Sequence, residues 1–178
     1  MGWQVRVARP ADAPRIARLR VASWQHAYAS LIDDGWLAAM NPAAAEAAWA
    51  RHAETGRLHV AVDEADVPMA YSLVGEARQE TDRRPGLRTG ELYAIYADPA
   101  VLGTGAGHAV HEAGMTCLAG AGFEHAVLWV LEHNELGIHF YETQGWQPDS
   151  VHTELSIGGH QYTELRYSRQ LTPRMITR

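Results

Sequence analysis

Hydrophobic and polar positions alternate over residues 4–8, and a period of two predicts a first strand. Asp12 stands as a candidate N-cap with Pro14 in the first turn, and the pattern continues as a long helix to about Tyr28. Shorter helices are predicted over residues 33–40 and 42–54. The second is alanine-rich and carries Glu46 and Arg51, all good helix formers. Residues 58–63 and 68–77 read as two strands about a turn. Residues 79–89, charged and holding Pro85 and Gly86, read as an exposed loop. A strongly apolar strand follows over 91–97. Past Gly103, Gly105 and Gly107 a helix begins, with Val110, Ala113, Cys117 and Leu118 on one stripe. Residues 126–131 are an unbroken apolar strand. Asn134 is placed to cap a helix that stops at Gly145. Residues 152–157 and 161–167 flank Gly158-Gly159, a hairpin turn. The pattern predicts an α/β (mixed α+β) fold, one sheet covered by helices with a strand–helix–strand unit over 91–131.

Composition narrows the classes without changing that picture. A chain of 178 residues suits a single domain over 1–178, and 47% hydrophobic with 20% charged residues is a core-forming balance. No apolar run reaches the length of a bilayer span, and the first ten residues lack the apolar stretch of a signal peptide. The single cysteine, Cys117, excludes an internal disulfide framework and fits a cytoplasmic location. A net charge of −6 argues against nucleic acid as a partner. Of the ten histidines, His108 and His111 have no metal-ligand spacing with other donors, so no metal is expected.

The chemistry is concentrated in "ELYAIYADPAVLGTGAGHAV" (residues 91–110). Glycines just before an apolar helix let an anion approach unpaired N–H groups at the positive end of that helix. Familiar phosphate loops fail on spacing. There is no lysine for GxxxxGK[ST], and counting from Gly103 or Gly105 puts His108 or Val110 where GxGxxG needs a small residue. Downstream, Asn134, Gly137 and Tyr141 share one helical face, and Gly137 is expected to leave room there.

Taken together, the strand ELYAIYADP, the loop Leu102-Gly103-Thr104-Gly105-Ala106-Gly107 and the segment Asn134 through Trp146 resemble the GNAT superfamily of N-acetyltransferases. The loop departs from the family pattern at Leu102, where the family usually has Gln or Arg, and it carries no Lys or Arg. The resemblance implies a central, mixed, mostly antiparallel sheet of about seven strands flanked by helices. It also implies a V-shaped opening between two central parallel strands. It implies acetyl-CoA as co-substrate, no metal, and direct attack by a primary amine on the thioester in a ternary complex. The pyrophosphate would rest on N–H groups of the loop through His108. The acetyl carbonyl would meet a backbone N–H at Tyr96 or Ala97. Asn134, Gly137 and Tyr141 would complete the cofactor contacts, and Tyr141 would be the general acid, holding its proton at neutral pH and giving it to a thiolate.

Glu91 matches a catalytic glutamate of some family members, and strand alternation puts it on one face with Tyr93 and Ile95. Trp129 fills the alternative glutamate position, so Glu91, acting through water, is the expected base. Trp24, Tyr28, Glu91 and Tyr93 are the acceptor-side candidates, with Trp24 and Tyr28 spaced to form one aromatic wall. The acceptor is expected to be a small-molecule or peptide amine and the protein a monomer or homodimer, without a membrane partner. A non-catalytic acyl-CoA sensor is the alternative from another class.

Overall fold

The structure, a computed structural model, describes residues 2–171. Seven strands form a sheet in the order β1-β2-β3-β4-β5-β7-β6. They are β1 Gln4–Val7, β2 Leu58–Val62, β3 Pro68–Glu76, β4 Thr89–Ala97, β5 His125–Leu131, β6 Gln147–Ile157 and β7 His160–Gln170. Five helices accompany them: α1 Ala13–Ala27, α2 Asp34–Ala38, α3 Glu46–Glu54, α4 Ala106–Gly120 and α5 Glu135–Thr143. This is the mixed, mostly antiparallel sheet with flanking helices that the resemblance implies. Among the described residues two compact units are distinguishable, one holding residues 2–73 with Ala94–Gly114, the other Val74–Tyr93 with residues 115–171.

In the first unit β1, β2 and β3 pair antiparallel, from Gln4 opposite Val62 to Val7 opposite His59, and from Leu58 opposite Leu73 to Val62 opposite Pro68. β2 is buried along its whole length, which explains why it shows an apolar run and not an alternation. Ile16 and Leu19 of α1 are fully buried in the same unit as Leu58, Val60 and Tyr71. Asp12 precedes α1 as expected, but its side chain does not cap the helix. Its carboxylate instead accepts from the Arg9 N–H at 2.7 Å and pairs with the Arg6 guanidinium at 2.7 Å. A charged partner outcompetes the helix N–H groups for the same lone pairs. Asp33 does cap, accepting from the Trp36 N–H at 2.8 Å.

In the second unit β4 and β5 are parallel, but the ladder covers only Thr89–Glu91 against His125–Val127. β5 pairs β7 antiparallel throughout, and β6 pairs β7 through a hairpin turned by Gly158 (φ 60°) and Gly159 (φ 85°). Two successive left-handed residues are what a tight two-residue hairpin requires. Gly90 is glycine because a Cβ there would lie 2.8 Å from the Leu118 side chain.

The stripe on α4 is partly as read. Val110 and Leu118 are buried, Ala113 and Cys117 only half so, and His111 is fully buried among them. A hydropathy pattern counts histidine as polar and passes over it. The segment read as an exposed loop, 79–89, contains buried Asp82, whose carboxylate accepts from the Arg166 guanidinium at 3.0 Å and from the Trp129 indole N–H at 3.2 Å. That segment is therefore anchored by a buried acid which composition alone marks as solvent-facing.

Candidate active site

The glycine loop is set up from the end of β4. Asp98 caps a 3-10 turn over Pro99–Val101 by accepting from the Ala100 N–H at 3.0 Å, and Arg15 holds the same carboxylate at 2.7 Å. Arg15 keeps Asp98 below the usual carboxylate range, opposed by partial burial. Leu102 then leaves the turn exposed. Gly103 and Gly105 take the left-handed conformation (φ 75° and 91°), and a Cβ on either would meet nothing within 4 Å. These glycines serve backbone conformation and leave open space beside the main chain. Thr104 closes the loop inward, donating its hydroxyl to the Val101 carbonyl at 2.7 Å while its own carbonyl accepts from the Trp3 indole at 3.2 Å. Ala106 is fully buried with Val110, Ala61 and Ala70, so it anchors the helix start. The first helical bond runs from the Ala109 N–H to the Gly105 carbonyl at 3.0 Å. The N–H groups of Gly105, Ala106 and Gly107 precede that ladder, at the positive end of a fifteen-residue helix. His108 is exposed on the first turn.

The same unit holds an aromatic cluster. Trp24 and Tyr28 meet edge to face with centroids 4.9 Å apart, forming the wall that their spacing predicts. Trp36 joins at 5.8 Å and Tyr96 at 6.2 Å from Trp24, and the hydroxyls of Tyr28 and Tyr96 are 3.0 Å apart. Tyr71, which sequence reading passes over as a strand residue, packs 5.8 Å from Tyr96. The Arg20 guanidinium lies 4.4 Å above the Trp24 ring. The Ala97 carbonyl accepts from the Ser23 hydroxyl at 2.7 Å, fixing the end of β4 against α1.

In the second unit Glu91 is almost fully buried. Its Oε2 accepts from the Arg78 backbone N–H at 3.0 Å and its Oε1 from the Arg78 Nε at 3.0 Å, with Nη2 of the same arginine in closer contact still. The arginine covers the carboxylate from the solvent side and also lies 4.7 Å over the Tyr93 ring. Glu91 and Tyr93 thus share a face, as alternation predicts. Tyr93 packs against Gly75 and donates to the Glu76 carbonyl at 2.5 Å, a bracing contact. Glu164, unmarked by any motif, is pushed up by burial; Arg78 opposes the shift and Glu91 adds to it.

Asn134 caps α5, its Oδ1 accepting from the Gly137 N–H at 3.0 Å. A Cβ on Gly137 would lie 2.6 Å from the Asn134 Nδ2, so the room expected at Gly137 is taken up by the cap itself. Tyr141 is half-buried on α5, with its ring 5.6 Å from Phe140. Among the described residues no three His, Cys, Asp or Glu side chains gather as metal ligands, and no helix is long and apolar enough to cross a membrane.

The model of the acetyltransferase (GNAT) family matches residues 16–146. The chain belongs to that family. It is 33% identical over 147 residues to the uncharacterized N-acetyltransferase YuaI of Bacillus subtilis (strain 168), covering 83% of this chain and 80% of that protein. It is 38% identical over 63 residues to the mycothiol acetyltransferase of Mycobacteroides abscessus, covering 35% of this chain and only 21% of that longer protein. Among solved structures, the PaiA N-acetyltransferase of Thermoplasma acidophilum in complex with coenzyme A superposes with a TM-score of 0.73 at 13% identity, over 96% of this chain and 99% of that one. The GNAT superfamily phosphinothricin acetyltransferase of Sinorhizobium meliloti, in complex with acetyl-CoA, gives 0.73 at 18% identity over 100% and 93%. Both establish the shared fold. As a GNAT member the protein is an acetyl-CoA-dependent acyltransferase.

Proposed function

We propose that the protein moves the acetyl group of acetyl-CoA to a primary amine by direct attack. The observation that carries this reading is the loop before α4. Two left-handed glycines face open space, and the N–H groups of residues 105–107 stand outside the helical ladder. An anion can come close to that backbone, so the residues present fit a pyrophosphate. The absence of a basic side chain in the loop makes the main chain its holder. Leu102 and Thr104 shape the turn, their N–H groups donating to the Pro99 and Val101 carbonyls, and His108 is assigned a backbone contact to the anion.

Acetyl-CoA supplies an activated acetyl group on a thiol leaving group. The protein has three tasks: to orient the carbonyl, to manage the amine's proton and to protonate the departing sulfur. We assign the first to the backbone N–H of Tyr96 or Ala97, as the family resemblance implies. Glu91 is assigned to the second, through water. Tyr141 is assigned to the third. A phenol is a proton donor suited to a departing thiolate.

Thiol release from acetyl-CoA in the presence of a panel of primary amines tests the reaction. Tyr141→Phe keeps the ring and removes only the donor. The expected result is a kcat lower by about 10²–10⁴-fold with acetyl-CoA binding unchanged. An unaltered kcat, measured where chemistry limits turnover, would remove Tyr141 from the acid role. No transfer to any amine, with acetyl-CoA still bound, would favour a sensor over an enzyme.

A further inference from the structure

The aromatic cluster of the first unit holds polar groups that the acetyl-transfer chemistry does not use. Tyr71 is fully buried, and its hydroxyl has no hydrogen-bond partner among the described residues. The indole N–H of Trp24 is also buried and without a partner there. Buried donors left unmade are rare in folded proteins, and each calls for an explanation. The third group is Arg20. Its guanidinium lies 4.4 Å over the Trp24 ring and, among the described residues, forms no ion pair with a carboxylate. By contrast, Arg6 pairs with Asp12 and Arg15 with Asp98.

These three groups are joined through packed rings, Tyr71 lying 5.8 Å from Tyr96 and Tyr96 6.2 Å from Trp24. The Tyr71 phenol lies within electrostatic reach of both Arg20 and Tyr96, and Arg20 and Tyr96 both adjoin Trp24. Burial above all, and then Tyr96, hold the Tyr71 proton in place against the pull of Arg20, so Tyr71 remains a donor. A permanent cation, a phenol O–H and an indole N–H therefore belong to one contiguous aromatic cluster. All three are donors, and the partner they suit is an acceptor with negative charge. A guanidinium suits a carboxylate in particular, because its planar fork matches two oxygens. The rings of Trp24, Tyr28 and Trp36 would cover an apolar body attached to it. Tyr96 links these groups to the reaction. Its ring belongs to the cluster, and its backbone is one of the two positions assigned to the acetyl carbonyl.

We infer that Arg20, Tyr71 and Trp24 form a carboxylate-binding site for the acceptor, so that the acetylated amine belongs to a molecule with a carboxylate and an apolar body, as in a free apolar amino acid. This rests on the acetyltransferase reading and adds the acceptor's class to it.

The test separates the two readings. 3-Phenylpropionate has the carboxylate and the apolar body but no amine, so its binding does not depend on turnover. Its affinity and that of 3-phenylpropionamide are measured by calorimetry on the wild type, Arg20→Gln, Arg20→Lys and Tyr71→Phe, each checked for acetyl-CoA binding. The acid is expected to bind the wild type at least about tenfold more tightly than the amide. That preference should vanish in Arg20→Gln, return in part in Arg20→Lys and weaken in Tyr71→Phe. In turnover, phenylalanine and leucine should outperform their amides per neutral amine. Equal binding of acid and amide by the wild type overturns the inference, as does an acid preference untouched in both Arg20→Gln and Tyr71→Phe. Acetyl-CoA binding retained in either case leaves the transferase reading standing, whereas a wild type that binds no acetyl-CoA sinks that reading and the inference with it.

Discussion

Glu91 shows how a single side chain can satisfy a motif and still be constrained by its surroundings. Both of its oxygens accept hydrogen bonds from Arg78. The same bonds occupy lone pairs that a water relaying the amine's proton would need. The pH profile of kcat/KM decides what remains. With an acceptor whose amine is neutral throughout the range, a Glu91 base gives the wild type an ascending limb that Glu91→Gln removes, at a reduced rate. Superimposable profiles would assign Glu91 to the support of Arg78 and Tyr93. Its neighbour Glu164 allows a sharper statement on stability. Burial raises its folded pKa above the unfolded value, so the folded state binds this proton more tightly. Stability from that group is present below the unfolded pKa and is lost as pH rises through the folded one. Glu164→Gln, always neutral, should therefore raise the melting temperature relative to wild type at pH 7, with the gain fading towards pH 4. A difference that does not vary with pH would mean that burial does not govern this carboxyl. Neither Arg78 over Glu91 nor the raised Glu164 is legible in sequence, because both depend on which side chains the folded β-structure brings together.

At the scale of elements, legibility followed local chemistry. Asn134 was readable as a cap because the cap is made within one turn, and the structure has it accepting from Gly137. The same locality misled the reading of Gly137. A glycine on a helix face suggests a gap, whereas here the capping amide occupies it. The Gly158-Gly159 hairpin was readable for an equally local reason, two positive φ values in succession. Asp12 failed as a side-chain cap because its partner, Arg6, comes from β1. The loop before α4 was half legible. Its glycines announced bare backbone, but only the fold shows that Thr104 turns inward to Val101 and Trp3 while Gly103 and Gly105 face open space. The cluster of Arg20, Trp24 and Tyr71 joins α1 to β3. Its wall, Trp24 with Tyr28, was foreseeable from helical spacing; its unsatisfied donors were not.

For the molecule as a whole, the strand and helix order and the family were legible because motifs recur in order along the chain, whereas the identity of the acceptor depends on side chains brought together by folding. Ligand linkage tests the cradle globally. A ligand that binds only the native state stabilises it, by about 2.7 kcal/mol at a hundredfold excess over Kd. For a chain of this size each kcal/mol moves the melting temperature by about 2–4 °C, so saturating acetyl-CoA should raise it by roughly 5–11 °C. Gly105→Val acts on this in two ways. At φ 91° any L side chain is strained, which lowers the melting temperature without ligand. The valine also fills the space beside the N–H groups of the loop. The quantity that decides is therefore the shift, each protein with acetyl-CoA against itself without. The wild-type shift should be largely abolished in Gly105→Val, whatever the starting temperature. A variant that melts lower but gains as much from acetyl-CoA as the wild type would show that the glycine serves only the turn, and the pyrophosphate would have to be held elsewhere in the chain.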